Sequence, residues 1–150
     1  MRQQRGSTLF ELMAVLAVGG ILAGIAIPGV GAAQRTLAGD AGARKLALVL
    51  RAAQSRAQAH ATTVTVAVAG DGAYTVHEAQ AGAGSSGGPA LVASGALGAD
   101  VGSNYPSGVV EFGPRGWPRL PGSVSPRAGT FTVGGDNRVV LQLGGCVRCR

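Results

Sequence analysis

Between Leu12 and Ala33 the chain has no Asp, Glu, Lys, Arg or His. A helix rises about 1.5 Å per residue, so this uncharged run would reach roughly 33 Å, enough to cross the hydrocarbon core of a bilayer. The chain is therefore expected to begin in a membrane. Aromatic residues are also few, at 4%, which excludes a core of large rings and leaves Val, Leu and Ala to fill it. With 2 histidines and 2 cysteines, a zinc site of about four ligands would need His60 and His77 beside Cys146 and Cys149, at no helpful spacing. There is no Ser/His/Asp set and no carboxylate pair. The glycines sit in alanine-rich turns, outside the strand-Gly-Lys-helix setting of a phosphate loop. No enzyme and no cofactor are expected, and His60 reads as a helix-end residue and His77 as a strand-surface residue.

What is present is glycine, 26 residues in 150. After a leader and a membrane helix, about 100 residues remain for one small, loop-rich domain. No repeat of solenoid period and no block of like charge is visible. The formal charge of +6 falls by two if Met1 to Gly6 are removed, because Arg2 and Arg5 leave. Between Arg56 and Arg115 there is no Lys or Arg, whereas Arg115, Arg119, Arg127, Arg138, Arg148 and Arg150 follow. The basic character is C-terminal.

Glu11 stands at the mouth of the apolar run, where a bare carboxylate costs a few kcal/mol to insert into lipid. It requires a partner. Thr8-Leu9-Phe10-Glu11 has the spacing of a capping box, and the positive end of a helix dipole favours an acid in the first turn. That reading explains Glu11 but not the cationic, glycine-ended leader before it.

Gly6, the Ser7-Thr8-Leu9-Phe10 segment, Glu11 and the apolar helix resemble the class III signal of type IV pilins and type II secretion pseudopilins. The resemblance implies that a prepilin peptidase cuts after Gly6 and methylates the new amine on Ser7, a place where the family usually has Phe. It also implies that Glu11 pairs with the N-terminal amine of a neighbouring subunit during assembly. The physics agrees, since an acid that is costly alone in lipid is neutralised by an ammonium in the same layer. The rival is an ordinary secretory signal cut near Gly31-Ala32-Ala33, but the run exceeds the usual ~7 to 15 apolar residues. Arg35, Arg44, Lys45 and Arg51 after the helix outnumber Arg2 and Arg5 before it. An inside N-terminus thus follows from the resemblance and not from the charge count.

Pro28 removes a backbone donor within the run and should kink or loosen the helix, either as a segment that bends on packing or as a tolerated membrane proline. Beyond it, Leu37, Ala41, Leu46, Val49, Leu50, Ala53 and Ala57 recur at helical spacing, which predicts an amphipathic continuation to about His60. Val64, Val66 and Val68 then alternate up to Gly70-Asp71-Gly72, and Tyr74 and Val76 resume, a β-hairpin. Residues 80–89 read as a flexible loop. Leu91-Val92 reads as a short strand and Val109 to Phe112 as a longer one closed by Gly113-Pro114-Arg115-Gly116. Trp117, between prolines, is expected to plug the edge of the core. A second hairpin runs from Thr130-Phe131-Thr132-Val133 through Gly134 to Asn137 into Arg138 to Leu143.

This order, the Phe112-Gly113-Pro114-Arg115-Gly116 turn and the Gly-then-Arg tail resemble the GspH/FimT branch of the pseudopilins. Members used in DNA uptake end in a Gly-Arg-x-Arg pattern. Here it becomes Gly145-Cys146-Val147-Arg148, with Cys in place of the first arginine, so Arg148 carries over and Arg150 is a positional substitute. A phosphate backbone needs several cations along one face. The alternative is a solvated face of scattered arginines. Cys146 and Cys149 suggest a local disulfide in an exported domain, with free or intermolecular thiols and metal or redox chemistry as alternatives. An extended segment would hold their Cα atoms about 10 Å apart, beyond the ~7 Å limit, so a bridge requires a turn.

The expected organisation is a leader over 1–6, a transmembrane assembly helix over 7–33, an amphipathic continuation over 34–60 and a globular β domain over 61–150. The fold class is α+β, a long N-terminal helix packed on a small antiparallel sheet, pilin-like. The resemblance implies a minor pseudopilin at or near the tip of a type II secretion pseudopilus. It would be single-pass in the bacterial inner membrane with its C-terminal domain in the periplasm. Its implied partners are other pseudopilins or minor pilins, the inner-membrane assembly platform and prepilin peptidase, with DNA for an uptake subunit of a type IV pilus as the alternative.

Overall fold

A computed structural model of the chain describes residues 9–79 and 88–149, with the backbone alone at 22–30 and 32. The chain divides into two compact units, Met1–Arg35 and Thr36–Arg150. Gly6, Ser7, Arg150 and most of the expected 80–89 loop lie outside the described residues.

In the first unit, helix α1 (Leu9–His60, continuing into the second unit) carries Glu11 in its first turn. Its backbone stays helical through Pro28. Among the described residues no helix is long and apolar enough to cross a membrane. The run expected to do so includes residues 22–30 and 32, whose side chains lie outside the description.

In the second unit, the remainder of α1 buries Ala43, Leu46, Ala47, Leu50, Ala53 and Ala57. The 3.6-residue period puts these on one face. Leu37 and Ala41, expected on that stripe, are exposed. The reason is angular: Leu37 precedes Leu46 by nine residues, which at about 100° per residue is half a turn. Ala43 and Ala47 take their places, and small side chains let the sheets approach.

Two antiparallel sheets share this helix face. The first has the order β3-β2-β1-β5-β6 and the second β4-β7-β8-β9. The first comprises β1 (Val64–Val68), β2 (Ala73–Glu78), β3 (Ala90–Ala96), β5 (Val109–Phe112) and β6 (Pro118–Arg119). The second comprises β4 (Val101–Ser103), β7 (Gly129–Val133), β8 (Asn137–Leu141) and β9 (Val147–Cys149). Alternation decides which residues point inward: Val64, Val66 and Val68 are buried along β1, and Gly129, Phe131 and Val133 along β7. Phe112 and Phe131, both 0% exposed, are the largest fully buried side chains.

Both expected hairpins form, with registers Val66↔Val76 and Phe131↔Val139. The second ends sooner than predicted, because Gln142 turns the chain. The Gly145 amide donates to the Gln142 carbonyl at 2.8 Å, and Gly145 takes φ +83°, a conformation glycine adopts freely. The Gln142 amide then donates to the Cys146 carbonyl at 2.9 Å, so the tail returns beside β8 as β9.

Tyr105 is a core residue without a sequence signal. Its ring stacks on Phe131 with centroids 5.6 Å apart, and its hydroxyl donates to the Arg127 carbonyl at 2.8 Å. Burial pushes the phenol up to about 12.

Candidate assembly surface

Among the described residues of the first unit, the stretch from Leu9 to Ile21 presents apolar side chains all round apart from Glu11. Leu9 is 78% exposed, Phe10 83%, Val15 66%, Leu16 71% and Ile21 66%, with Leu12, Met13 and Val18 also more than half exposed. Ordinary amphipathic helices keep one polar face, whereas a helix apolar on every side belongs inside a membrane or a protein assembly. Covering eight such side chains is worth on the order of 10–20 kcal/mol. Glu11 is exposed among them, in the first turn where the helix dipole favours a negative charge. Of the expected site residues, Glu11 is thus placed on this helix, while Gly6 and Ser7 precede the described part.

The C-terminal candidates lie on the second sheet. Arg148 is exposed and pairs across the ladder with Val140, the neighbour of Val139 on the same strand as Arg138. The other arginines of the basic C-terminal half are dispersed. Arg119 contacts Glu111 at 3.4 Å and donates to Thr63 Oγ1 at 2.9 Å, and Arg115 lies 5.5 Å from the centre of the Trp117 ring. They belong to separate strands and turns, not to one row along a phosphate backbone, so the placement lends the DNA reading no support.

Cys146 and Cys149 are both exposed free thiols. The expected local disulfide is absent because the tail is extended here: β9 holds Val147 opposite Leu141 and Cys149 opposite Val139. Three extended residues separate the Cα atoms by about 10 Å, beyond bridging range. Among the described residues no group of His, Cys, Asp and Glu is placed to hold a metal ion.

His60 does end α1, and its Nδ1 lies 2.6 Å from Glu78 Oε1. His77 is half-buried on β2, and its Nδ1 is buried with no hydrogen-bond partner. Trp117 does not plug the core. It is 42% exposed while Pro118 beside it is fully buried, because alternation into β6 turns one of the two inward and the other out. Gly116, at φ +74°, sets that turn, and its carbonyl accepts from Gln54 at 2.9 Å. Sequence reasoning missed this exposed tryptophan, and no local signal distinguishes it from the buried proline one residue on.

Comparison with known families agrees with the geometry. A prokaryotic N-terminal methylation motif matches residues 1–27, and type II transport protein GspH matches residues 42–145, more than half of the chain. No curated protein and no solved structure matches it. With its methylation motif, an apolar helix and two antiparallel sheets on that helix's continuation, the chain belongs to the GspH family and is a type IV pilin-like pseudopilin.

Proposed function

We propose that the chain is a minor pseudopilin at or near the tip of a type II secretion pseudopilus, with a structural role in protein export. Prepilin peptidase cuts after Gly6 and methylates Ser7. The mature chain is held single-pass in the bacterial inner membrane with its C-terminal domain in the periplasm, until the assembly platform draws it against other pseudopilins. The observation that supports this most is the exposed apolar surface from Leu9 to Ile21 with Glu11 in its first turn.

Magnitudes separate insertion from assembly. Apolar burial of order 10–20 kcal/mol exceeds the roughly 3 kcal/mol cost of a carboxylate in the membrane, so the helix inserts whether or not Glu11 is paired. Pairing with the Ser7 amine of a neighbour then gives the carboxylate an opposite charge in the same layer, which favours assembly. Glu11→Leu is therefore expected to insert and to be cleaved yet fail to join the filament. Pull-down of other pseudopilins at the wild-type level by this variant would refute the role.

A further inference from the structure

Two adjoining hollows open on the second unit near Gln54 and Gln58 of α1, and they differ in chemistry. The larger, about 420 Å³, is apolar and is lined by Trp117, Pro126, Leu143 and Gly144. The smaller, about 240 Å³, shares Trp117 and Pro126 as a common wall and adds Arg115, Arg119 and Val124. Their walls are pinned from several sides. Gln54 donates to the Gly116 carbonyl and Gln58 to that of Arg115, which ties the Trp117 turn to the helix. Gly145 comes so close that a Cβ on it would lie 2.7 Å from the Gly116 oxygen, which fixes the turn carrying Leu143 and Gly144. Pro126 is held by its bridge to Arg119 and by the Arg127 amide, which donates to the Pro118 carbonyl at 2.7 Å. A site built in this way loses little ordering entropy when it is filled.

The smaller hollow is electropositive. Arg115 lies over the Trp117 ring and has no ion-pair partner among the described residues. Glu111 stands 3.4 Å from Arg119, yet Arg119 Nε is buried without a hydrogen-bond acceptor, so the pair leaves that guanidinium short of one. A guanidinium only donates, and its best complement is a planar carboxylate. The larger hollow favours an apolar side chain instead, since Leu143 is 57% exposed there and Trp117 42%. A ligand that fills both must carry a carboxylate and an apolar group side by side across the shared wall. In an extended peptide neighbouring side chains point to opposite faces, so an internal acid and the apolar residue next to it diverge. At a chain end the carboxylate and the side chain leave from one Cα.

We propose that the two hollows together bind the C-terminal residue of a partner protein, its free carboxylate on Arg115 and Arg119 and its large apolar side chain on Trp117 and Leu143. Capture of a C-terminal carboxylate is a recurring mode of peptide recognition. Charge complementarity selects the occupant: a partner ending in Lys or Arg brings a cation to two arginines, whereas one ending in Phe or Leu satisfies both hollows. The site uses no residue of the apolar stretch from Leu9 to Ile21, so it is separate from Glu11 and from the pairing made there.

Trp117 is the one tryptophan of the chain and stands in the shared wall, so its emission reports directly on the site. The full-length chain in detergent is titrated with the peptide Gly-Ser-Gly-Ser-Phe, which has a free C-terminus. The expected result is a saturable shift of the emission to shorter wavelength as the apolar side chain covers the ring. Amidation of the peptide's C-terminus, Ser in place of its Phe, or Arg115→Gln in the protein should each weaken binding by about tenfold, the size of a lost charged hydrogen bond or a lost buried side chain. An amidated peptide with Asp two residues before Phe should bind as poorly as the amidated parent. Absence of a saturable shift at about 1 mM peptide, where binding energy has fallen to roughly 4 kcal/mol, would overturn the proposal. So would affinity for the amidated or internal-acid peptide equal to that for the free acid, or affinity unchanged in Arg115→Gln. The peptide comparison uses the unaltered protein, so it decides the matter even where Arg115→Gln lowers the melting midpoint. Each of these failures leaves the assembly role to be judged by the pull-down with Glu11→Leu.

Discussion

Glu78 on β2 accepts a hydrogen bond from Arg56 Nε at 2.6 Å, which ties the last turn of α1 to the first sheet. His60 and Thr62 approach the other carboxylate oxygen at 2.6 and 3.0 Å. The Arg56 bond, then that of His60, hold the carboxyl down at about 2, below its ordinary 4.5, against the opposing effect of desolvation. A carboxyl depressed in the folded state adds stability above its unfolded value and loses it as pH falls through the folded one. Thermal melts of the detergent-solubilised chain should therefore fall in midpoint as pH drops from about 4.5 to about 2. In Glu78→Gln that fall should be shallower, and an unchanged slope would remove Glu78 from the account.

Ala61 closes α1 in a left-handed conformation, φ 50°. The Thr62 amide donates to the Ala57 carbonyl at 3.1 Å and the Ala61 amide to the Gln58 carbonyl at 3.4 Å, the paired bonds of a Schellman cap. Glycine occupies this conformation without the Cβ clash that alanine meets. Ala61→Gly should stabilise the chain by about 1 kcal/mol, read as a raised melting midpoint; a lowered one would contradict the cap.

Gly129 lies against Tyr105 so closely that a Cβ there would stand 2.0 Å from ring atom Cε2. Gly129→Ala must displace the ring from Phe131 and should cost about 1–3 kcal/mol, as overpacking does. Tyr105→Phe keeps the stack and loses only the bond to Arg127, a smaller loss of about 1 kcal/mol. Denaturant melts of the two variants side by side check the order of the effects.

Leu50, fully buried on α1, touches the core shared by both sheets. Leu50→Ala should cost about 2–5 kcal/mol, while Leu48→Ala, at a position 64% exposed, should stay within about 0.5 kcal/mol. Equal losses would mean that the helix face has been assigned wrongly.

The helix end at His60 and both hairpins were legible because period and turn chemistry agree there: valines alternate, and Gly70-Asp71-Gly72 and Gly134 to Asn137 supply the bends. The division into two sheets was not, since β4 is three residues, Val101–Ser103, and is fixed by pairing with β7, distant in sequence. Ala43 and Ala47 were missed in favour of Leu37 because hydrophobicity alone hides how closely a sheet approaches. Tyr105 lies between a short strand and a proline, where no alternation marks an inward side chain. Of the site, Glu11 was legible as an acid out of place in an apolar run. Trp117 was not, because nothing local says which of Trp117 and Pro118 turns inward.

The most direct test of the pseudopilin account is the mass of the N-terminal peptide of the protein isolated from its native host. The account predicts a chain beginning at Ser7 with a methylated amine. A functional form that retains Met1 through Gly6, or one that begins near Gln34, would contradict it.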